Sequence, residues 1–351
     1  MKYKFMALLT TLLALATGGC GQQKYDNMDV EALAAFIADT QVQLLDVRTE
    51  AEYAEGHIDG ASLADVKRDD FLSVAKAQLC KEQPVAVYCR SGKRSAKAAE
   101  LLTAEGYRVT NLKGGIVAWT AKGMPTSQIQ VDAFVTPGGK AVRLYALMHA
   151  SIRIAFDGKE IQIDPVRQLG PRTTDYTAMP KADYIFVTHE HPDHFDQEAI
   201  RQLSTDGTQF VTNARCAEMM GSGRAMANGE CLTLSDGITL EAVPAYNTTE
   251  GRTQFHPRGR DNGYILTLDG LRIYIAGDTE DIPEMAQIKD IDIAFLPCNQ
   301  PYTMTPDQLL RAARMVGPRV IFPYHFGQTD VTAIPAALAS DGIDVRLRHY
   351  E

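Results

Sequence analysis

Apolar residues in this chain occur in short runs separated by polar turns, with longer amphipathic stretches between some of them. Early in the chain, the runs at residues 42–47 and 85–88 predict two buried strands. Asp29 is a suitable N-cap for an amphipathic segment that carries Val30, Leu33 and Ile37, which predicts a helix there. Another helix is predicted directly after residue 95. This order of strand, loop and helix is typical of a parallel sheet covered by helices.

The second part of the chain has more strand-like runs, many of them joined by turn signals such as Asp157-Gly158 and Asp269-Gly270. These runs lie at residues 143–147, 151–156, 160–163, 184–187, 238–243, 264–268, 271–275, 293–296 and 320–322. A segment with Pro137-Gly138-Gly139 separates the two patterns. We therefore predict an α/β protein with two domains, at residues 24–126 and 141–351, and a linker at residues 127–140.

The composition excludes one class of partner. The chain of 351 residues has 45% hydrophobic residues and a formal net charge of −9, and it contains no block rich in Lys and Arg. A protein that binds nucleic acid would usually present a basic surface. We therefore expect a globular protein whose partners are small molecules and that does not bind nucleic acid.

The first twenty residues are those of an export signal. Lys2 and Lys4 precede an apolar stretch at residues 6–16, which is too short to span a membrane, and small residues then lead to Cys20. The segment resembles a lipoprotein signal peptide, although Thr17 stands where such signals usually have a larger aliphatic residue. The resemblance implies a lipid anchor on Cys20 at the periplasmic face of a bacterial envelope. A plain secretory signal is the alternative.

The strand-like run at residues 85–88 ends in a loop that contains a cysteine and several cations. The loop consists of Cys89, Arg90, Ser91, Gly92, Lys93, Arg94 and Ser95. Backbone N–H groups at the start of the following helix, together with the cations, would stabilise a thiolate and lower the pKa of Cys89. A structural role for a buried Cys89 is the alternative, but a core would not tolerate the flanking cations unpaired.

With Asp46-Val47-Arg48, residues 52–61 and residues 114–119, the Cys89 loop resembles a single rhodanese domain. The resemblance implies a three-layer α/β/α fold in which Cys89 takes sulfur from a sulfane-sulfur donor as a persulfide held by residues 90–95. It implies a catalytic role for Arg94, five positions after Cys89. Phosphatase relatives need Arg at the sixth position, where this chain has Ser95. For His57 the resemblance favours a structural role in a turn.

A cluster of His and Asp follows the apolar run at residues 184–187. His189, His191, Asp193 and His194 fall within six positions, and alternate residues of an extended segment point the same way. Imidazole and carboxylate groups are ligands for zinc, iron or manganese. The alternative is a solvated turn, but His supplies only 8 residues of the whole chain and three of them are here. The motif therefore predicts a metal site.

Further motifs make the second part similar to the metallo-β-lactamase fold, in the branch of lactonase-like and phospholipase-D-like hydrolases. They include Asp164-Pro165-Val166, Gly277-Asp278-Thr279-Glu280 and Tyr302-Thr303-Met304. The resemblance implies an αββα sandwich with one or two divalent metal ions, zinc before manganese or iron. His189 and His191 would hold the first ion. Asp193, His194 and His325 would hold the second, Asp278 would bridge them, and Asp193 would also take part in catalysis.

The chain departs from that family at Asn247, where a third histidine of the first site is usual. Either the first site is weak, or a substitute ligand completes it, for which His256 and Asn247 itself are the candidates. For His149, which precedes a predicted strand, we favour a structural role over metal binding.

Three functions agree with this combination of motifs. We favour a metal-dependent hydrolase with an appended sulfurtransferase that acts on a small-molecule substrate and a sulfane-sulfur donor. A persulfide dioxygenase with a single iron is the second hypothesis, although its domains usually occur in the opposite order. A non-catalytic, sulfide-sensing lipoprotein is the third, and it would require both sites to be inactive.

Overall fold

The protein is described from a computed structural model that covers residues 25–39, 41–235 and 237–350. The predicted signal peptide at residues 1–20, with Cys20, lies outside these residues. Among the residues that are described, no helix has both the length and the apolar character needed to cross a membrane.

The first domain is built on a five-stranded parallel sheet. Its strands are β1 Asp26–Met28, β2 Gln43–Asp46, β3 Ser62–Leu63, β4 Val85–Tyr88 and β5 Val109–Leu112, and its helices are α1 Val30–Ile37, α2 Glu50–Glu55, α3 Phe71–Gln78, α4 Lys93–Ala104 and α5 Gly115–Ala121. The strand order is β1-β5-β4-β2-β3. As predicted, the Asp29 side chain caps α1 by accepting a hydrogen bond from Ala32 N. Separate apolar clusters cover the two faces of the sheet, which confirms the three-layer α/β/α fold.

The second domain contains two seven-stranded sheets, and the first sheet comes from the earlier part of the domain. Its strands are β6 Val131–Val135, β7 Ala141–Met148, β8 Ser151–Phe156, β9 Lys159–Ile163, β12 Tyr184–Phe186, β13 Gln209–Thr212 and β14 Arg224–Ala225. A short hairpin, formed by β10 Gln168–Leu169 and β11 Arg172–Thr173, lies between β9 and β12 in the sequence. Helices α6 Gln197–Leu203 and α7 Ala214–Met220 also belong to this half. The order of the sheet is β14-β13-β12-β9-β8-β7-β6.

The second sheet follows from the remainder of the chain. Its strands are β15 Cys231–Ser235, β16 Ile238–Ala245, β17 Asp261–Leu268, β18 Leu271–Ile275, β19 Ile293–Pro297, β20 Val320–Tyr324 and β21 Asp344–Val345, and they pair in that order. Helices α8 Pro306–Val316 and α9 Ile334–Leu338 belong to this half. Because the largest apolar cluster joins side chains of both sheets, while further clusters join each sheet to its helices, the domain is an αββα sandwich as predicted.

The predicted linker at residues 127–140 is partly wrong, because it contains a strand. Strand β6 pairs antiparallel with β7, and Phe134 enters the core between the sheets. The segment Pro137-Gly138-Gly139 forms the turn of this hairpin, in which Gly139 N donates to Thr136 O at 2.9 Å. Proline and glycine mark a turn equally well within a domain or between two domains, so the local sequence did not separate these readings.

His57 lies where the two domains meet. Its ring is stacked on Tyr53 and is fully buried, with Nδ1 3.0 Å from Tyr53 O and Nε2 2.9 Å from Ile129 O. Its backbone pairs with Ser127. Both ring nitrogens face backbone carbonyl groups, so His57 joins the first domain to the segment that enters the second. This position agrees with the structural role expected for it.

Candidate metal centre and cysteine loop

The metal-ligand candidates lie in loops that directly follow strands of both sheets. His149 follows β7, the His189–His194 motif follows β12, Asp278 follows β18, and His325 follows β20. Gly277 has a φ of 65°, and a Cβ added there would be 2.8 Å from Asn262 O, so glycine is needed directly before Asp278. The strand ends of the two sheets therefore bring distant residues together. His149 and His325, for example, are 176 positions apart in the sequence.

The first cluster contains three imidazoles and one carboxylate. Its members are His189, His191, His256 and Asp278, whose ligand atoms all lie within 4.8 Å of one another. Nδ1 of His191 is 3.0 Å from Nε2 of His189 and 3.2 Å from Nε2 of His256. All four side chains except that of His191 are buried.

The second cluster has the same composition. Its members are His149, Asp193, His194 and His325, again with ligand atoms within 4.8 Å of one another. Oδ2 of Asp193 is 3.3 Å from Nε2 of His149 and 3.5 Å from Nε2 of His325. The side chain of Asp193 is 30% exposed, so this cluster is open to solvent on the side of that carboxylate.

Asp278 lies between the clusters. Its Oδ1 is 3.3 Å from Nε2 of His194 in the second cluster. Its Oδ2 is 3.2 Å from Nε2 of His256 in the first cluster and 3.3 Å from Nε2 of His325 in the second. One carboxylate thus faces imidazoles of both clusters.

The buried polar atoms of the clusters suit divalent cations. Within the described part of the chain, Nε2 of His194, Oδ1 of Asp278 and both ring nitrogens of His325 are buried without a hydrogen-bond partner. Leaving such atoms unsatisfied costs about 1–3 kcal/mol each. Cations held among imidazole nitrogens and carboxylate oxygens would satisfy them, and this donor set is one that zinc prefers. The residues therefore fit a metal centre.

Asp164 orients two of the imidazoles from behind. Its Oδ2 is 2.8 Å from Nδ1 of His194, and it accepts a hydrogen bond from Thr188 Oγ1 at 2.8 Å. Thr188 Oγ1 is also 3.0 Å from Nδ1 of His189. With Nδ1 engaged in this way, Nε2 of each ring is directed toward the clusters and is free to bind metal. From the sequence, Asp164 served only as a mark of resemblance, and its role behind the imidazoles was not predicted.

Electrostatic effects differ between the imidazoles. Burial, followed by the charge of His194, holds the pKa of His189 well below its usual value, which favours the neutral form that binds metal. Burial also acts to lower the pKa of His325, but the carboxylates of Asp278 and Asp193 outweigh it and raise that pKa to about 9. For Asp193, burial is outweighed by the hydrogen bond with His149 and the charge of His194, so its pKa lies below the ordinary range.

His256 occupies the place that Asn247 leaves without an imidazole. The loop between β16 and β17 folds back on itself, so that Asn247 N donates to His256 O at 2.9 Å. Oδ1 of Asn247 is 2.6 Å from Nδ1 of His256, and its Nδ2 donates to Tyr302 O at 2.7 Å. Of the two substitute ligands considered from the sequence, the structure places His256 in the cluster and Asn247 behind it.

The structural role favoured for His149 does not describe its position, because its ring is part of the second cluster. His149 and His325 both have a left-handed backbone, with φ of 53° and 47°, and so does Asp164 with φ of 44°. These are three of the six non-glycine residues with positive φ in the described chain. Such conformations cost about 1–3 kcal/mol each and concentrate at functional sites. The strained backbone was not visible in the sequence.

In the first domain, hydrogen bonds converge on the sulfur of Cys89. Sγ accepts from Gly92 N at 3.2 Å and from Ser95 Oγ at 3.4 Å. Gly92 has a φ of 89°, which brings its N–H to the sulfur at the start of α4. Burial acts to raise the pKa of Cys89, but these bonds from Ser95 and the loop amides outweigh it, and the pKa is lowered. The hydrogen bonds therefore stabilise the thiolate relative to that of an unperturbed cysteine.

Arg94 is paired with a carboxylate. Its guanidinium forms two hydrogen bonds with Glu52, at 2.6 and 2.7 Å, and these bonds lower the pKa of Glu52 to about 2. Arg90, Ser91 and Lys93 are exposed around the loop, whereas Ser95 is buried. Arg94 lies in the first turn of α4, beside the Cys89 loop, and its partner 42 positions away was not foreseen from the sequence.

Comparisons with known proteins agree with this division of the chain. A model of the beta-lactamase superfamily domain matches residues 143–325, and a model of the rhodanese-like domain matches residues 29–122. A UPF0173 metal-dependent hydrolase from Ligilactobacillus salivarius is 34% identical over 185 residues, which cover 51% of this chain and 82% of that protein.

Two solved structures are similar to the chain as well. A putative metal-dependent hydrolase from Parabacteroides distasonis is 50% identical, covers 64% of this chain and 100% of its own, and superposes with a TM-score of 0.61. Igni18, a metallo hydrolase from Ignicoccus hospitalis, is 28% identical with a TM-score of 0.51, and the match covers 59% of this chain and 94% of that one.

Proposed function

Because the chain belongs to the UPF0173 metal-dependent hydrolases of the beta-lactamase superfamily and carries a rhodanese-like domain, we propose that it combines two chemistries. The second domain hydrolyses a small-molecule substrate at a two-metal centre, and the first domain takes up sulfur on Cys89. The hydrolase proposal rests on one observation above all, which is that the Asp278 carboxylate faces both His-rich clusters.

In this proposal, His189, His191 and His256 would hold one ion, His149, Asp193, His194 and His325 would hold the other, and Asp278 would be a ligand of both. Zinc suits these donors best, with manganese or iron as alternatives. When bound, paired divalent cations supply a nucleophile from water at neutral pH and polarise a carbonyl or phosphoryl oxygen. Two clusters of four potential ligands favour this arrangement over the single iron of a persulfide dioxygenase.

The residues around the clusters would orient these ligands and admit the substrate. Asp164 and Asn247 fix the rings behind them, so the inward nitrogens need not reorganise during the reaction. His191 and Asp193 are the ligands that retain exposure, so we expect the substrate to approach past these two side chains.

The experiment that tests the hydrolase proposal combines metal analysis with a panel of ester, lactone and phosphodiester substrates. We expect two ions per chain and hydrolysis of at least one class, lost on chelation and restored by Zn²⁺. A single bound iron together with consumption of oxygen and a persulfide would instead support the dioxygenase. Absence of bound metal would refute both enzyme proposals.

Replacement of Asn247 by Ala should weaken the first metal site. The change removes the acceptor that holds Nδ1 of His256, and loss of such an outer partner typically costs about 10–100-fold in metal affinity. The measurement is a Zn²⁺ titration of the chelator-treated protein. Gln254→Ala, on the same loop but exposed, is the control and should titrate like the wild type. Unchanged affinity in Asn247→Ala would show that the amide does not orient His256.

The sulfur chemistry proposed for the first domain balances without an added oxidant. The Cys89 thiolate attacks the outer sulfur of thiosulfate, a new S–S bond forms, and sulfite leaves with the electron pair of the broken S–S bond. The hydrogen bonds from Gly92 N and Ser95 Oγ support this proposal because they stabilise negative charge on sulfur. Arg94, held by Glu52, adds positive charge beside the loop.

We also propose that the protein is exported and anchored to a membrane by lipid on Cys20, as the sequence of residues 1–20 indicates. The expected result is that the wild-type protein sediments with membranes and that Cys20→Ser is exported but soluble. Mass spectrometry of the mature N-terminus provides the direct check. If Cys20→Ser sediments with membranes to the same extent, the lipid anchor is excluded.

A further inference from the structure

Glu280 is a buried carboxylate two positions after Asp278 that belongs to neither cluster of metal-ligand candidates. Its side chain has no exposed surface. Its Oε2 accepts four hydrogen bonds, from the backbone N–H and the hydroxyl groups of Thr248 and Thr249, at 2.7 to 2.9 Å. A single carboxylate oxygen thus accepts from four donors of this turn, and charge-assisted bonds of this kind are stronger than neutral ones.

The turn that Glu280 holds leads directly to the first cluster. Asn247 is adjacent to Thr248, and its Oδ1 lies 2.6 Å from Nδ1 of His256. Nε2 of His256 in turn lies 3.2 Å from His191 and 3.2 Å from Asp278. Glu280 N also donates to Tyr246 O at 3.0 Å, which fixes the residue before Asn247. Hydrogen bonds therefore run from Glu280 through the turn to an imidazole of the first cluster.

The same residue bonds two loops to each other. Glu280 follows β18 in the loop of Asp278, whereas Thr248 and His256 lie in the loop between β16 and β17. Only one histidine of the first cluster, His256, comes from that second loop. Its distance from Asp278 thus depends on how the two loops are held together, and Glu280 provides partly buried bonds between them.

We propose that Glu280 is a positioning residue that sets the metal affinity of the first cluster by fixing the turn behind Asn247 and His256. This inference rests on the two-metal centre proposed above. It adds that the affinities of the two clusters are controlled separately, because His256 belongs to the first cluster and none of the four members of the second cluster comes from the loop between β16 and β17.

The test is a Zn²⁺ titration of the chelator-treated, full-length protein against a chromophoric chelator, which resolves the two affinities. Glu280→Ala should weaken one site by about 10–100-fold, as expected for loss of an outer partner, and leave the other unchanged. Its titration should resemble that of His256→Ala, which marks the first cluster, and differ from that of His325→Ala, which marks the second. Glu280→Gln should recover most of the affinity, since an amide oxygen can still accept from the turn.

Two further variants separate positioning from general damage to the fold. Glu250→Ala removes an exposed carboxylate next to the same turn, and it should keep both affinities. The double variant Thr248→Val with Thr249→Val removes two of the four donors, so it should weaken the first site less than Glu280→Ala does. If Glu280→Ala does not fold, the double threonine variant tests the proposal in its place, by weakening of the first site alone.

Several results would overturn the proposal. Unchanged affinities in Glu280→Ala would do so, as would equal weakening of both sites in the double threonine variant. A wild-type protein that holds fewer than two zinc ions would refute the two-metal centre and this inference together. A wild-type protein that holds two ions but hydrolyses no substrate would refute only the proposed activity, because the titration does not depend on it.

Discussion

Replacing Asp278 with Ala should lower metal content at both clusters and reduce hydrolysis by more than about 10³-fold. The carboxylate faces Nε2 of His194 on one side and Nε2 of His256 on the other, so its loss removes a ligand from each cluster. Metal ions supply several kcal/mol of charge stabilisation, and each 1.36 kcal/mol corresponds to about tenfold in rate. Elemental analysis of the purified variant and assay of the best substrate from the panel provide the measurements.

The matched control for this prediction is Asp281→Ala. Asp281 lies three positions further along the same loop and forms an ion pair with the exposed Arg311. That variant should keep its metal and its activity, because an ion pair of this kind contributes little. Full metal occupancy in Asp278→Ala would mean that the two clusters do not share this ligand, and the two-metal proposal would then have to be abandoned.

Replacing Cys89 with Ser should abolish sulfur uptake by the first domain. The wild-type protein, incubated with thiosulfate, should gain the mass of one sulfur atom, whereas the variant should gain none because a hydroxyl is not ionised at neutral pH. Intact-mass spectrometry makes this measurement. Hydrolysis by the second domain should be unchanged, since Cys89 is buried within the apolar cluster of the first domain.

Two further variants sharpen the cysteine prediction. Ser95→Ala removes a hydrogen bond that lowers the pKa of Cys89, so the pKa should rise and alkylation of the thiol should require higher pH. Cys231→Ser removes an exposed thiol and should leave sulfur uptake unchanged. If the wild-type protein gains no sulfur from any donor, or if Cys231→Ser also loses the gain, Cys89 is not the acceptor.

The architecture could be predicted from the sequence, because the signals for it are local. Alternation of apolar runs and turns predicted strands such as residues 85–88 and 271–275, which are β4 and β18 within the same bounds. A His-rich motif directly after a strand and a cysteine loop directly before a helix can also be recognised within a few residues. Local signals failed at Pro137-Gly138-Gly139, because such a segment can be a linker between domains or a turn within one. Here it closes a hairpin within the second domain.

The residues that complete the two clusters could be identified only in the folded protein. His149 is 44 positions from Asp193, and His256 is 65 positions from His191, so no spacing rule relates them. His256 reaches the first cluster because its loop folds back on Asn247, and His149 reaches the second through a left-handed backbone. The ion pair of Arg94 with Glu52 is likewise a contact between distant segments. Such contacts depend on how loops are packed against each other, and packing is a property of the whole fold that local sequence does not encode.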